Sequence, residues 1–153
     1  MKKVKKIWLF FTSDLQNKQL LIEAYILLAW ARVLKAFPFS KISPCLGSQM
    51  IETSFEIDTA NIKRVKQISH AIHIMSKYTF WESMCLVKAI AAMKMLERRK
   101  IDSTLYLGTA KDETGEMVAH AWLRSGPFYL TGAAEMKKFV VVYTFAKKSR
   151  GIK

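Results

Sequence analysis

Cysteine and histidine are both scarce in this 153-residue chain. Its two cysteines, Cys45 and Cys85, lie far apart without a C-x-x-C motif, which argues against a disulfide framework and against a zinc site. Two of its three histidines, His70 and His73, share one predicted helix without an H-E-x-x-H motif. We interpret them as solvated or packed side chains, because zinc normally takes three or four protein ligands. No metal and no cofactor are expected, and Cys45 is interpreted as a structural or incidental thiol.

No long uninterrupted hydrophobic run is present. The basic N-terminus contains only the apolar stretch IWLFF, which is too short for a secretory signal. The longest apolar stretch, Leu20 to Phe37, is interrupted by Glu23, Arg32 and Lys35, whereas a membrane-spanning helix needs about 20 mostly apolar residues. We interpret it as a buried helix, with a peripheral membrane or partner contact as the alternative. A reducing, cytoplasmic setting is expected, and membrane contact is not.

Acidic residues are few, with 12 against 25 basic ones, so the formal net charge is +13. A basic surface of this kind can bind nucleic acid, anionic lipid or an acidic peptide. No nucleic-acid-binding motif accompanies the charge, so nucleic acid is not an expected partner. The net positive charge is sufficiently explained by a role in solubility and by a partner that carries some negative charge. Half of the residues are hydrophobic, which excludes general disorder, and the length is that of one domain, 1–153.

The period of the hydrophobic pattern changes along the chain. Helical spacing covers Leu15 to about Ala36, then DTANIKRVKQISHAIHIMSKY with Asp58 or Thr59 as N-cap, and then a segment that begins near Cys85. After this third helix the period becomes two, and strands are predicted at STLYLGTA, MVAHAWLR, PFYLTG and KFVVVYTFA. Helices followed by an antiparallel meander predict the α+β class.

Cys85 stands where a helix begins, in the segment FWESMCLVKAIAAMKMLERR. A buried cysteine often serves packing alone. A thiol over the free N–H groups of a helix N-terminus is instead favoured as the nucleophilic thiolate. A capping box of Thr79 and Glu82 would place Cys85 a turn and a half inside the helix, whereas Ser83 as N-cap would make it the second helical residue. Catalysis requires an arrangement close to the second.

His120 lies in the middle of a predicted strand, between two alanines. A cysteine and a histidine that are distant in sequence but meet in space are typical of cysteine-nucleophile enzymes. The alternative is a core histidine whose ring nitrogens are hydrogen-bonded and which has no catalytic role. A triad also needs a group that orients the imidazole. If SG is a two-residue turn, His120 pairs with Thr131 and both side chains point to the same face. Thr131 is therefore the candidate orienting residue, with Glu135 as the alternative.

Three segments, WESMCLVKAIAAMKMLERRKIDSTLYLGTAKD, AHAWLRSGPFYLTG and FVVVYTF, resemble the leader peptidases of lasso-peptide biosynthesis. These enzymes are cysteine proteases of the transglutaminase-like superfamily, which has a papain-like core. The resemblance implies Cys85 as the nucleophile and His120 as the general base. The third family residue is usually an Asp on the strand after the histidine strand, and the matching YLTG has none. Thr131, Glu135 or a dyad without a third residue all remain open.

The resemblance also implies a biological role. The chain would remove the leader from a ribosomally made lasso-peptide precursor, and a separate ATP-dependent cyclase would close the freed core. We divide the domain into an N-terminal helical part, 1–57, and a transglutaminase-like catalytic core, 58–153. The helical part has no room for a leader-recognition domain, so a separate small leader-recognition protein is expected, in contact with the apolar helix and the basic surface. The alternatives are a transglutaminase-like acyltransferase and a non-catalytic basic adaptor.

Overall fold

The computed structural model describes residues 14–79 and 84–149. The helices in these ranges are α1 (Leu15–Leu34), α2 (Phe39–Ile42), α3 (Thr59–Ser76) and α4 (Cys85–Arg98). A single antiparallel sheet contains β1 (Ser48–Gln49), β2 (Ser103–Lys111), β3 (Met117–Ser125), β4 (Phe128–Thr131) and β5 (Val140–Lys147). Short 3-10 helices cover Ser43–Leu46 and Met136–Lys138. The predicted α+β class is confirmed.

Aspartates are the N-cap residues of the long helices α1 and α3. Asp14 Oδ1 accepts a hydrogen bond from the backbone N–H of Leu15 at 2.8 Å. Asp58 Oδ1 accepts one from the N–H of Ala60 at 3.1 Å, so Asp58 is the N-cap of α3 and Thr59 is the first helical residue. None of the described helices combines the length and the hydropathy that a membrane-spanning helix requires.

The order of the strands in the sheet is β1-β5-β2-β3-β4. Strands β2, β3 and β4 are neighbours in chain order, as a meander requires, but β5 returns to pair with β2 instead of extending the sheet beyond β4. This return buries Phe145 of β5 in the core. It also makes β2 the central strand, so that Gly108 pairs with Val141 on one side and with His120 on the other.

The hydrophobic core lies between the long helices and one face of the sheet. Buried residues of α1, α3 and α4 share it with the sheet residues Leu105, Ala121, Leu123, Leu130 and Phe145. Successive side chains of a strand point to opposite faces. Ala121 and Leu123 therefore face the helices, whereas His120, Trp122 and Arg124 lie on the other face of β3.

Arg124 is completely buried on this second face and holds the segment between β1 and α3 against it. Its Nε donates to the Tyr106 hydroxyl at 2.9 Å. Its terminal nitrogens donate to the backbone carbonyls of Gly126, Thr53 and Ser54 at 2.8, 2.9 and 3.1 Å. The guanidinium carbon also lies 3.7 Å from the centre of the Phe55 ring. A buried charge is costly unless it is hydrogen-bonded, and here several acceptors satisfy it.

Candidate functional site

Cys85 is the first residue of α4, and its side chain is half-buried against the core. Met84 is the N-cap and has no capping oxygen, and its carbonyl accepts the N–H of Lys88 at 3.0 Å. The first N–H groups of a helix have no partner within the helix, so the thiol lies where such groups are available. This is close to the arrangement that catalysis requires. Of the predicted capping residues, Glu82 and Ser83 lie outside the described residues, whereas Thr79 is described and its hydroxyl donates to the Ser76 carbonyl at 3.1 Å.

The His120 imidazole is half-buried within a stack of aromatic rings. The Phe139 ring lies on one side, with its centroid 4.9 Å from that of His120, and the Trp122 ring lies at 5.8 Å. Trp122 in turn stacks on Tyr106 at 5.6 Å with an interplanar angle of 10°. We call these four residues the ring stack. Burial raises the pKa of Tyr106, so the hydroxyl that binds Arg124 stays protonated at neutral pH.

Because Gly108 has no side chain, the rings of the ring stack can pack directly against it. It pairs with His120 across β2 and β3. A Cβ atom at this position would lie 2.8 Å from Cη2 of Trp122 and 2.9 Å from Cβ of Phe139. These distances are shorter than van der Waals contact, so a side chain here would displace the rings that hold the imidazole. A glycine in a strand often marks such a close approach, which is the sequence signal for this position.

The hydrogen-bond partner of His120 is a backbone group that the sequence analysis did not identify. Nε2 of His120 lies 2.9 Å from the carbonyl oxygen of Gly132. Gly132 directly follows β4 and has a φ of +73°, a left-handed conformation that favours glycine. Every residue carries a backbone carbonyl, so the residue type gives no direct signal for this contact. A glycine at the end of the strand after the histidine strand was the only hint.

The turn between β3 and β4 differs from the predicted one. Gly126 and Pro127 form it, instead of SG, so Ser125 pairs with Phe128. Gly126 has a φ of +54°. Hairpin turns whose twist matches that of the strands need a positive φ at the first central residue, and the fixed φ of proline suits the second. The turn therefore lies one residue later than predicted, which changes the register of the hairpin.

The predicted pairing of His120 with Thr131 is wrong. The later turn and an irregularity in the pairing next to Leu123 place Thr131 opposite Leu123 instead. The Thr131 hydroxyl is buried and makes no hydrogen bond with any described residue. Glu135 is exposed at the start of the second 3-10 helix. An orienting role for either side chain stays a prediction, because no described hydrogen bond joins it to His120.

Cys85 and His120 lie on different sides of the sheet. Cys85 packs on the helix side, whereas His120 lies on the face of β3 opposite to the core residue Ala121. Within the described ranges, no hydrogen bond joins the thiol and the imidazole. Catalytic hydrogen bonds are often long or poorly aligned before the substrate binds. Their cooperation in catalysis stays a prediction.

The other two histidines lie on α3. His70 and His73 line an open groove between α3 and β4. Partial burial, together with the positive charge of nearby Lys88 and Lys77, lowers the pKa of His73. In the part of the chain that the structure describes, no group of three or more His, Cys, Asp or Glu residues could hold a metal ion.

Comparison with known proteins gives a match to a protein family. Residues 25–144 match the model of the family described as the transglutaminase-like superfamily. The matched region extends from α1 into β5 and includes Cys85, His120 and Gly132. No curated protein and no solved structure gave a significant match.

Proposed function

The chain belongs to the transglutaminase-like superfamily, and on this premise we propose that it is a cysteine peptidase that removes the leader from a lasso-peptide precursor. The observation that carries the proposal is the position of Cys85 at the first residue of α4, inside the matched region. A helix start is a favourable place for a thiolate and for an oxyanion. The choice of a leader peptidase within the superfamily rests on the resemblance of the three sequence segments.

The proposed reaction passes through a thioester. The Cys85 thiolate attacks the carbonyl carbon at the end of the leader, and His120 holds the proton that the thiol has lost. The peptide C–N bond breaks, and His120 gives its proton to the leaving amine of the core peptide. His120 then takes a proton from water, which hydrolyses the thioester and releases the leader as a carboxylic acid. N–H groups at the start of α4 stabilise the oxyanion in both steps.

The proposal includes a separate leader-recognition protein and a separate cyclase. One face of α1 is buried, but Ile22, Ile26, Trp30 and Val33 are exposed along another face. Their spacing of three or four residues places them in one row, which we call the α1 stripe. Exposed apolar rows often mark interaction sites. We propose the α1 stripe as the contact for the recognition protein, and the basic surface as the contact for an acidic leader.

The decisive experiment compares the two cysteines. A lasso-peptide precursor is incubated with the chain and a leader-recognition protein, and its cleavage is followed by mass spectrometry. We expect Cys85→Ala to abolish cleavage and Cys45→Ala to retain most of it. Cys45 is a suitable control because it is also a free cysteine but is exposed and lies outside α4. Equal loss in both variants, or cleavage by Cys85→Ala, would contradict the assignment.

The same assay separates the peptidase from an acyltransferase, a second activity that the superfamily match allows. A small primary amine is added in excess. A peptidase releases the leader as the acid, whereas an acyltransferase releases it as the amide of the added amine. Binding of the precursor without any covalent change would indicate the non-catalytic adaptor.

A further inference from the structure

We infer that the backbone carbonyl of Gly132 orients the His120 imidazole, in the role that a carboxylate side chain fills in a triad. This inference rests on the proposed function, because it assigns His120 the part of the base. It makes Gly132 a positioning residue, since its carbonyl acts on the imidazole and not on the substrate.

The hydrogen bond determines which nitrogen of the neutral imidazole carries the proton. A carbonyl oxygen can only accept, so Nε2, at 2.9 Å from the Gly132 oxygen, must be the donor. Nδ1 then keeps its lone pair, and no described residue forms a hydrogen bond with it. In the proposed reaction, Nδ1 is therefore the nitrogen that would take the proton from the thiol and later give it to the leaving amine. Nε2 keeps its proton and its bond to Gly132 throughout.

Two features hold the ring in this orientation. The ring stack, in which the Phe139 and Trp122 rings both lie within about 30° of parallel to the imidazole, restricts the plane of His120. A half-turn about the Cβ–Cγ bond would leave the ring in the same plane, but it would replace Nε2 by the carbon Cε1 and break the hydrogen bond to the Gly132 carbonyl. The stack therefore fixes the plane, and the hydrogen bond selects one of the two orientations within it.

The direction of this carbonyl depends on the absence of a side chain at Gly132. A Cβ atom there would lie 2.4 Å from the carbonyl oxygen of Ala121 and 3.1 Å from Nε2 of His120. The contact with Ala121 involves backbone, which cannot move aside as a flexible side chain can. A substitution would also have to adopt a φ of +73°. Any larger residue must therefore shift the backbone at this position, and with it the carbonyl that binds the imidazole.

The first test measures the tautomer directly, without reference to activity. The whole chain is labelled with heavy nitrogen in its histidines, and NMR spectra at a pH where His120 is neutral identify the protonated nitrogen. His120→Asn identifies the signals of this residue among the three histidines. We expect the proton on Nε2 of His120. A predominant Nδ1–H form, or a rapidly exchanging mixture, would overturn the inference.

The second test compares two glycines with similar backbone conformations. Gly115 has a φ of +84°, but a Cβ atom there would have no heavy atom within 4 Å. We expect Gly132→Ala to lower kcat/KM on the order of tenfold and to disturb the Nε2–H form, because the imidazole loses its orienting group. Gly115→Ala suffers comparable backbone strain, but it should change neither kcat/KM nor the tautomer of His120. An active Gly132→Ala protein with an unchanged tautomer would overturn the inference.

The outcomes distinguish this inference from the proposed function. If Gly132→Ala does not fold, the tautomer of the unmodified chain decides the question alone. If the unmodified chain shows the Nε2–H form but cleaves no precursor, the positioning by Gly132 stands and the peptidase assignment fails. If the chain cleaves the precursor but His120 is protonated on Nδ1, the peptidase assignment stands and the inference about Gly132 fails.

Discussion

At the scale of the residue, Thr131 combines burial with a hydroxyl that has no hydrogen-bond partner among the described residues. A buried polar group without a partner costs about 1–3 kcal/mol. We expect Thr131→Val, which keeps the shape of the side chain, to raise the free energy of unfolding by about 1 kcal/mol. We also expect kcat/KM to stay within about twofold, because the described hydrogen bond of His120 is to Gly132 and not to Thr131. Urea unfolding and the cleavage assay measure the two quantities.

Thr53→Val is the matched control for this prediction. Thr53 is equally buried, but its hydroxyl bonds that of Thr104 at 2.7 Å. The same substitution there should lower the free energy of unfolding by about 1 kcal/mol. A loss of activity in Thr131→Val that approaches the loss in His120→Ala would show that the Thr131 hydroxyl does orient the imidazole.

At the scale of the element, Arg124 connects strand β3 to the segment that joins β1 to α3. Arg124→Met keeps much of the length of the side chain but removes every hydrogen bond that the guanidinium donates. We expect the free energy of unfolding to fall by about 3 kcal/mol, because several buried acceptors lose their donor at once. Urea unfolding followed by tryptophan fluorescence measures this loss, and Trp122 lies on the same face of β3 as a reporter.

Arg98→Met provides the comparison for an arginine at the surface. Its guanidinium lies 3.3 Å from Glu23 but is largely exposed. Exposed ion pairs contribute about 0–1 kcal/mol, so this variant should lose less than a third of the stability that Arg124→Met loses. Equal losses would mean that the buried hydrogen bonds of Arg124 contribute no more than a surface contact.

At the scale of the whole molecule, the α1 stripe is an apolar row on the outside of the fold. Ile26 is 59% exposed and Val33 is 63% exposed, although α1 buries its other face in the core. We expect Ile26→Glu and Val33→Glu to weaken binding of the recognition protein at least about tenfold, since a charge placed in an apolar contact is not compensated. Isothermal titration calorimetry with the purified partner measures the affinity. The unfolding temperature should hardly change.

Met117→Glu is the control for the α1 stripe. Met117 is 65% exposed, but it lies at the start of β3 and not on α1. This variant should bind the recognition protein as the unmodified chain does. If the Met117 variant loses affinity while the two α1 variants keep it, the recognition protein binds elsewhere on the molecule.

Local patterns in the sequence determined the elements. The helical period and the candidate N-caps Asp58 and Thr59 predicted α3, and the period of two predicted β2, β3, β4 and β5 close to their observed bounds. These features depend on residues near one another in the chain, so residue type alone carries the information. Neither of the two predicted starts of α4 is the observed one, because Met84 is the N-cap and Cys85 is the first helical residue, one residue later than a start capped by Ser83 would be.

Tertiary structure alone decided how the elements meet. The register of the β3–β4 hairpin depended on which two residues form the turn and on one irregularity, and a shift of a few residues moved Thr131 away from His120. The return of β5 to β2 brings Phe139, the residue directly before β5, over the imidazole. The partner of His120 is a backbone carbonyl, a group that all residues share. Residue type therefore predicted the histidine, whereas only the folded chain could show that Gly132 binds it.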